Sequence, residues 1–225
     1  MDGDLITLAA ANAAFVGSHF AMSHPLRAPL VKALGAGGFT LAYTVVSFAT
    51  LGWVAHAFTN SDAVDLPGSG EAGWIAATVI TWFAMVLLAG SLIGNPALPT
   101  PMAEAQARAE PKGVFRVTRH PMMWGIGLWA LSHMVLFWSI RTMITAFAMG
   151  VLALVGSKLQ DGKKAALMGA AWAEWSSRTS YWPRLGQVFS VGAVPLVAGT
   201  VLWLAASWIH LWHAGIPAGV WKWVG

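Results

Sequence analysis

Twenty consecutive residues, Pro121 to Ile140, carry no Lys, Arg, Asp or Glu. A helix needs about 20 apolar residues to cross the hydrocarbon core of a bilayer. In lipid every backbone N–H and C=O must find a partner inside the segment, which leaves a helix as the form for a single span. The run therefore predicts a membrane-crossing helix. Two details need a chemical reason. The run is preceded by R-V-T-R-H at 116–120, and it contains an imidazole, His133. Pro121 at the helix start costs no hydrogen bond, since the N–H of the first turn has no intrahelical partner. A polar group inside a membrane helix is expensive and usually faces the bundle interior.

The rest of the chain is of the same kind. Only 10% of its residues are charged, against about 25% in soluble domains. Charge-free segments predict a first span at Leu5–Ser23, a second at about 38–58 after Gly35, Gly37 and Gly38, and a third at about Gly73–Gly94. A fourth follows at Pro121 to about Ser139, a fifth, shorter one at about Thr142–Ser157 completed by a snorkelling Lys158, and a last at about Val191–Trp212. Arg141 marks a tight turn between the fourth and fifth. Residues 163–181 place Leu167, Ala171, Trp175 and Arg178 on one helical face, the pattern of an interfacial amphipathic helix. Met102–Lys112 is polar and predicts a surface segment. The fold class is thus all-α: one polytopic membrane helical bundle over residues 1–225, with about six spans, no internal repeat and no soluble domain.

Orientation follows from Lys and Arg. With the N-terminus outside, the loops after spans one, three and five hold 11 of the 13 basic residues, and only Arg141 and Lys222 fall on the other side. The acidic loop with Asp62, Asp65 and Glu71 then lies outside. This predicts a bacterial inner-membrane protein with both termini periplasmic. The acidic M-D-G-D-L start lacks the basic region of a cleaved leader, so the first apolar stretch is expected to remain as a helix. The net charge of +4 comes from residues in membrane loops, which argues against a nucleic-acid partner and for membrane lipid. The chain has no cysteine, which excludes disulfides, thiolate nucleophiles and cysteine metal ligands.

Seven histidines remain as the chemical residues. His24 and His56 fall at span ends, where an imidazole serves as an interfacial side chain. His210 and His213 share a face at i, i+3 near the outer end of a tryptophan-rich helix. His19 and His133 lie inside charge-free helices. Asn12, Val16, His19 and Ser23 form a stripe on the first helix; Gly125, Trp129 and His133 stack on the fourth, the glycine admitting something flat and the tryptophan giving an aromatic wall. Neutral imidazole is the usual haem ligand, and bundle cores are where such sites are built. The competing role is a hydrogen bond to a neighbouring helix. Depth sets a constraint. His133 stands 12 residues beyond Pro121, or ~18 Å, whereas His19 sits near the inner third of the bilayer. Joint ligation needs a tilted first helix or an offset, and His56 is the reserve ligand by depth. Arg116, Thr118, Arg119 and His120 beside a helix N-terminus form a second constellation. It suits a carboxylate, phosphate or haem propionate, and equally suits plain positive-inside anchoring.

G-V-F-R-V-T-R-H-P-M-M-W-G-I-G-L-W-A-L-S-H at 113–133, with G-S-H-F at 17–20, S-H-P-L-R at 23–27 and K-L-Q-D at 158–161, resembles the NnrU family of bacterial membrane proteins over most of the chain. That family is linked to nitrite and nitric oxide reduction and is related to zeta-carotene isomerase, a membrane enzyme with haem b. The resemblance implies haem b held by a histidine of the first span and by the one thirteen residues after the R-H-P histidine. These positions are His19, with His24 competing, and His133. It also implies either a redox-gated isomerase acting on a hydrophobic polyene-like molecule or a role supporting nitrogen-oxide respiration. Part of the pattern is also similar to isoprenylcysteine and phospholipid methyltransferases, whose R-H-P-x-Y-x-G motif binds S-adenosylmethionine. Here Met123 replaces the tyrosine, and Lys164 stands where an acidic contact is expected. The remaining alternative is a non-catalytic subunit of a respiratory or photosynthetic membrane complex.

Overall fold

A computed structural model describes residues 3–61, 66 and 68–224. Among them there is no strand. The elements are α1 (Gly3–Ser23), α2 (Arg27–Thr59), α3 (Gly70–Gly90), α4 (Ala103–Arg108), α5 (Pro121–Leu136), α6 (Ile140–Met168), α7 (Ala170–Arg178), α8 (Ala193–Ala214) and α9 (Trp221–Val224). Five of these, α1, α2, α3, α6 and α8, are long and apolar enough to cross a membrane; α5 is apolar and 16 residues long. The acidic residues Asp62 and Asp65 lie outside the described residues, while Glu71 opens α3.

The bundle is built as two halves joined by α5. On one side α5 packs against α3, and α3 against α8. On the other it packs against α6, and α6 against α1, which pairs with α2. Small residues make the close contacts. A Cβ on Gly125 would lie 2.8 Å from the Ala84 carbonyl oxygen, and one on Gly199 of α8 would lie 2.7 Å from the Val86 amide nitrogen. The missing side chain at Gly125 thus admits the backbone of α3 rather than a flat ligand, the use that membrane helices commonly make of glycine.

Three boundaries differ from the sequence expectation. The second helix begins at Arg27 and kinks at Gly35, whose φ of 71° suits a residue without Cβ. The fifth span is not short: α6 runs 29 residues, from a turn capped by Ser139 accepting from the Thr142 amide, and includes Arg141 in its first turn. It continues past Lys158 to Met168, so Lys163 and Lys164 belong to it. The amphipathic segment is consequently divided at Gly169, where φ is +50°. Its second half, α7, does not lay its apolar face on lipid. Ala171, Trp172 and Trp175 are buried, and the Trp175 ring meets Phe115 edge-on at 5.5 Å. Arg178 ties this cap to α4 and the residues after it through the Ala107 carbonyl and the Glu110 carboxylate.

Candidate functional site

At the basic end of the bundle the R-H-P segment is held from three directions. The Arg119 amide donates to the Ser180 carbonyl at 2.8 Å, the Thr118 hydroxyl donates to the Tyr181 carbonyl at 2.8 Å, and the Trp124 indole donates to the same carbonyl at 2.8 Å. Asp161 of α6 reaches across to it. Its carboxylate accepts from Arg119 Nε at 2.9 and 3.1 Å and from Arg119 Nη2, and from His120 Nε2 at 2.8 Å. The side chains of Asp161 and Arg119 are 14% and 13% exposed and that of His120 is fully buried, so this is an interior ion pair. Asp161 accepts a hydrogen bond from His120 Nε2, and His120 Nδ1 has no hydrogen-bond partner among the described residues.

This arrangement answers the anion-site reading. The anion that Arg119 and His120 bind is Asp161 of the same chain. Sequence reasoning overlooked it because it is a lone acid among Lys158, Lys163 and Lys164. Arg116 is exposed, and its side chain donates to the Pro111 carbonyl at 3.4 Å and to no other group among the described residues, as a residue anchoring the charged face does. The ammonium of Lys164 is consumed by the chain as well, donating to the carbonyls of Pro96 at 3.0 Å and Leu98 at 3.4 Å.

His19 lines a cavity of ≈ 350 Å³ enclosed by α1, α2, α5 and α6, within the range of small-molecule sites. Its walls include Phe15, Tyr43, Met123, Ile126 and Met149; His24 and Lys163 also line it. Nδ1 of His19 sits 2.8 Å from the Phe15 carbonyl oxygen, an acceptor only, so the proton resides on Nδ1 and Nε2 carries the lone pair. The ring is flanked by Phe15 at 4.4 Å and by the edge of Tyr43 at 5.4 Å. The predicted polar stripe is real: Asn12 is buried and donates to Thr145 of α6 at 3.3 Å, and Ser23 lines the same cavity as His19. Burial, and then the nearby Lys163 ammonium, hold the His24 imidazole below its usual range.

His133 lies elsewhere. It lines a second cavity, of ≈ 80 Å³, between α3, α5 and α8. Its Nδ1 is 2.9 Å from the Trp129 carbonyl oxygen and its ring is 4.4 Å from the Trp129 ring. The structure does not bring His19 and His133 together. The histidine it does bring to His133 is His210, with ring centres 6.0 Å apart. His56, the reserve ligand, is exposed on α2, and its imidazole lies beside the Asn60 amide of its own last turn.

No curated protein and no solved structure matches this chain. A family model described as NnrU protein matches residues 7–218. That match covers most of α1 and all of α2 to α8, and it includes the R-H-P segment, Asp161, His19, His133 and His210. The chain, a helical membrane-type bundle with these features, belongs to the NnrU family.

Proposed function

We propose that this is a haem b protein of the bacterial inner membrane, with both termini periplasmic, which uses haem to isomerise a double bond in a hydrophobic polyene-like molecule. One observation carries the haem assignment: His19 presents a free Nε2 to a cavity of ≈ 350 Å³. Haem bound there would supply a redox-active iron. The chain's own residues supply the rest. The Phe15 carbonyl fixes the His19 tautomer and orients the ring, which is the common support for a ligating imidazole. The aromatic and aliphatic walls suit an apolar macrocycle, and Lys163 offers a cation for its carboxylates. Met123 and Met149 bring thioethers, a known axial ligand type, to the same cavity. The isomerase assignment rests on the sequence resemblance to zeta-carotene isomerase rather than on these contacts.

Detergent-purified protein is expected to show a Soret band, with α and β bands that sharpen on dithionite reduction and a pyridine haemochrome of the b type. Full-length protein carrying no haem after expression with ample haem supply would refute the assignment. For the orientation, a periplasm-specific reporter fused after the last residue should be active. A fusion active only in the cytoplasm would reverse the eleven-to-two distribution of basic residues and overturn the orientation.

A further inference from the structure

We infer that His133 and His210 form a second metal site, selective for a single soft monovalent cation, copper(I), and separate from the cavity of His19. The inference starts from distance. A metal–nitrogen bond is about 2.0–2.1 Å and a ring centre lies about 1.1 Å behind its nitrogen, so two imidazoles on one ion have centres at most about 6.3 Å apart. A tetrahedral ion would bring them to about 5.1 Å. In the structure they are 6.0 Å apart, which for an ion shared by the two Nε2 atoms corresponds to an N–metal–N angle of about 145°, wider than tetrahedral. Zinc prefers the tetrahedral angle; copper(I) accepts two or three ligands at wider angles.

The ligand atoms are available. His133 Nδ1 is tied to the Trp129 carbonyl, so Nε2 is its free nitrogen. The His210 ring makes no hydrogen bond among the described residues. The hydroxyls around the pair are already satisfied. Thr81 accepts from the Trp203 indole at 3.1 Å and donates to Ala77, and Thr78 accepts from the Trp223 indole at 3.2 Å and donates to Trp74. Ser207 donates to the Trp203 carbonyl at 2.7 Å. The two imidazole nitrogens are thus the free donors of this cavity.

Charge and size then choose the ion. No carboxylate lines the cavity among the described residues, and both imidazoles are neutral ligands. A divalent ion would enter an apolar site with no compensating anion, whereas a monovalent one carries half the charge, and burial cost grows steeply with charge. Met85 lines the same cavity and adds a thioether, the soft ligand that favours copper(I). The ring separation alone would also suit a haem iron between the two histidines. A macrocycle would then have to lie between the rings, and ≈ 80 Å³ has room for an ion with a water or two, not for a porphyrin.

The test is anaerobic copper(I) competition with bicinchoninate under ascorbate, on detergent-purified full-length protein, haem-loaded and haem-free, and on His19→Ala. One copper(I) per chain is expected in both, which separates this site from the haem assignment. His133→Gln and His210→Gln should each weaken binding at least tenfold while keeping the elution volume and helical circular dichroism of the unaltered protein. X-ray absorption of the loaded protein gives a readout independent of any variant: one short shell of two imidazole nitrogens, with at most one added thioether sulfur, is expected. Sub-stoichiometric binding, unchanged affinity in both variants, or four-coordinate copper would overturn the site. So would haem loss in His133→Gln, because it would place the macrocycle there instead.

Discussion

Asp161→Ala is expected to destabilise the protein by about 3–5 kcal/mol, the range for breaking a buried ion pair by removing one partner. The carboxylate is the shared acceptor for the Arg119 guanidinium and the His120 Nε2–H, and all three side chains are buried or nearly so. Its removal leaves a cation and an imidazole donor without partners between α5 and α6, at the point where the loop 179–184 is pinned by Thr118 and Trp124. Asp161→Asn keeps the shape and one acceptor oxygen but not the charge, so its loss should be smaller. Arg119→Ala combined with Asp161→Ala should recover part of the single-variant loss, because it removes the stranded cation. Equilibrium unfolding in mixed micelles measures these differences. An Asp161→Ala protein within about 1 kcal/mol of the unaltered one would show that the cluster is solvated in the membrane-bound protein and contributes as little as surface pairs do.

His19→Ala is the second large effect: most of the bound haem should be lost while the fold is kept. The side chain packs on Phe15 and Tyr43 at the edge of a cavity, not in the tight contacts between helices, so truncating it enlarges a space that already exists. The comparison variant is His120→Ala. His120 is fully buried against Asp161 outside that cavity, so its removal should cost stability and leave haem content per folded chain near that of the unaltered protein.

The spans were legible because a charge-free run reports the membrane directly. Where α6 ends was not legible, for the same reason. Lys158 ends the charge-free run, and a helix has no reason to stop there when its next turns pack against α7. The inward stripe of Asn12, His19 and Ser23 followed from helical spacing. The partners of the histidines did not, since they are set by tertiary packing. The i, i+3 spacing paired His210 with His213, while the fold turns His210 toward His133. The depth offset between His19 and His133 was visible from residue counts, and the structure places the two in different cavities. Asp161 gave one faint signal: a single acid within a basic helix segment has to neutralise something, and here that is Arg119 and His120. Gly125 and Trp129 looked like one ligand-facing stack with His133. Trp129 does line that cavity, but Gly125 is spent on the contact with α3.

The most direct test of the haem assignment is haem per folded chain, by pyridine haemochrome, in His19→Ala and His133→Ala purified side by side. The cavity of His19 predicts near-complete loss in the first and retention in the second. Full haem content in His19→Ala, or loss confined to His133→Ala, would contradict it.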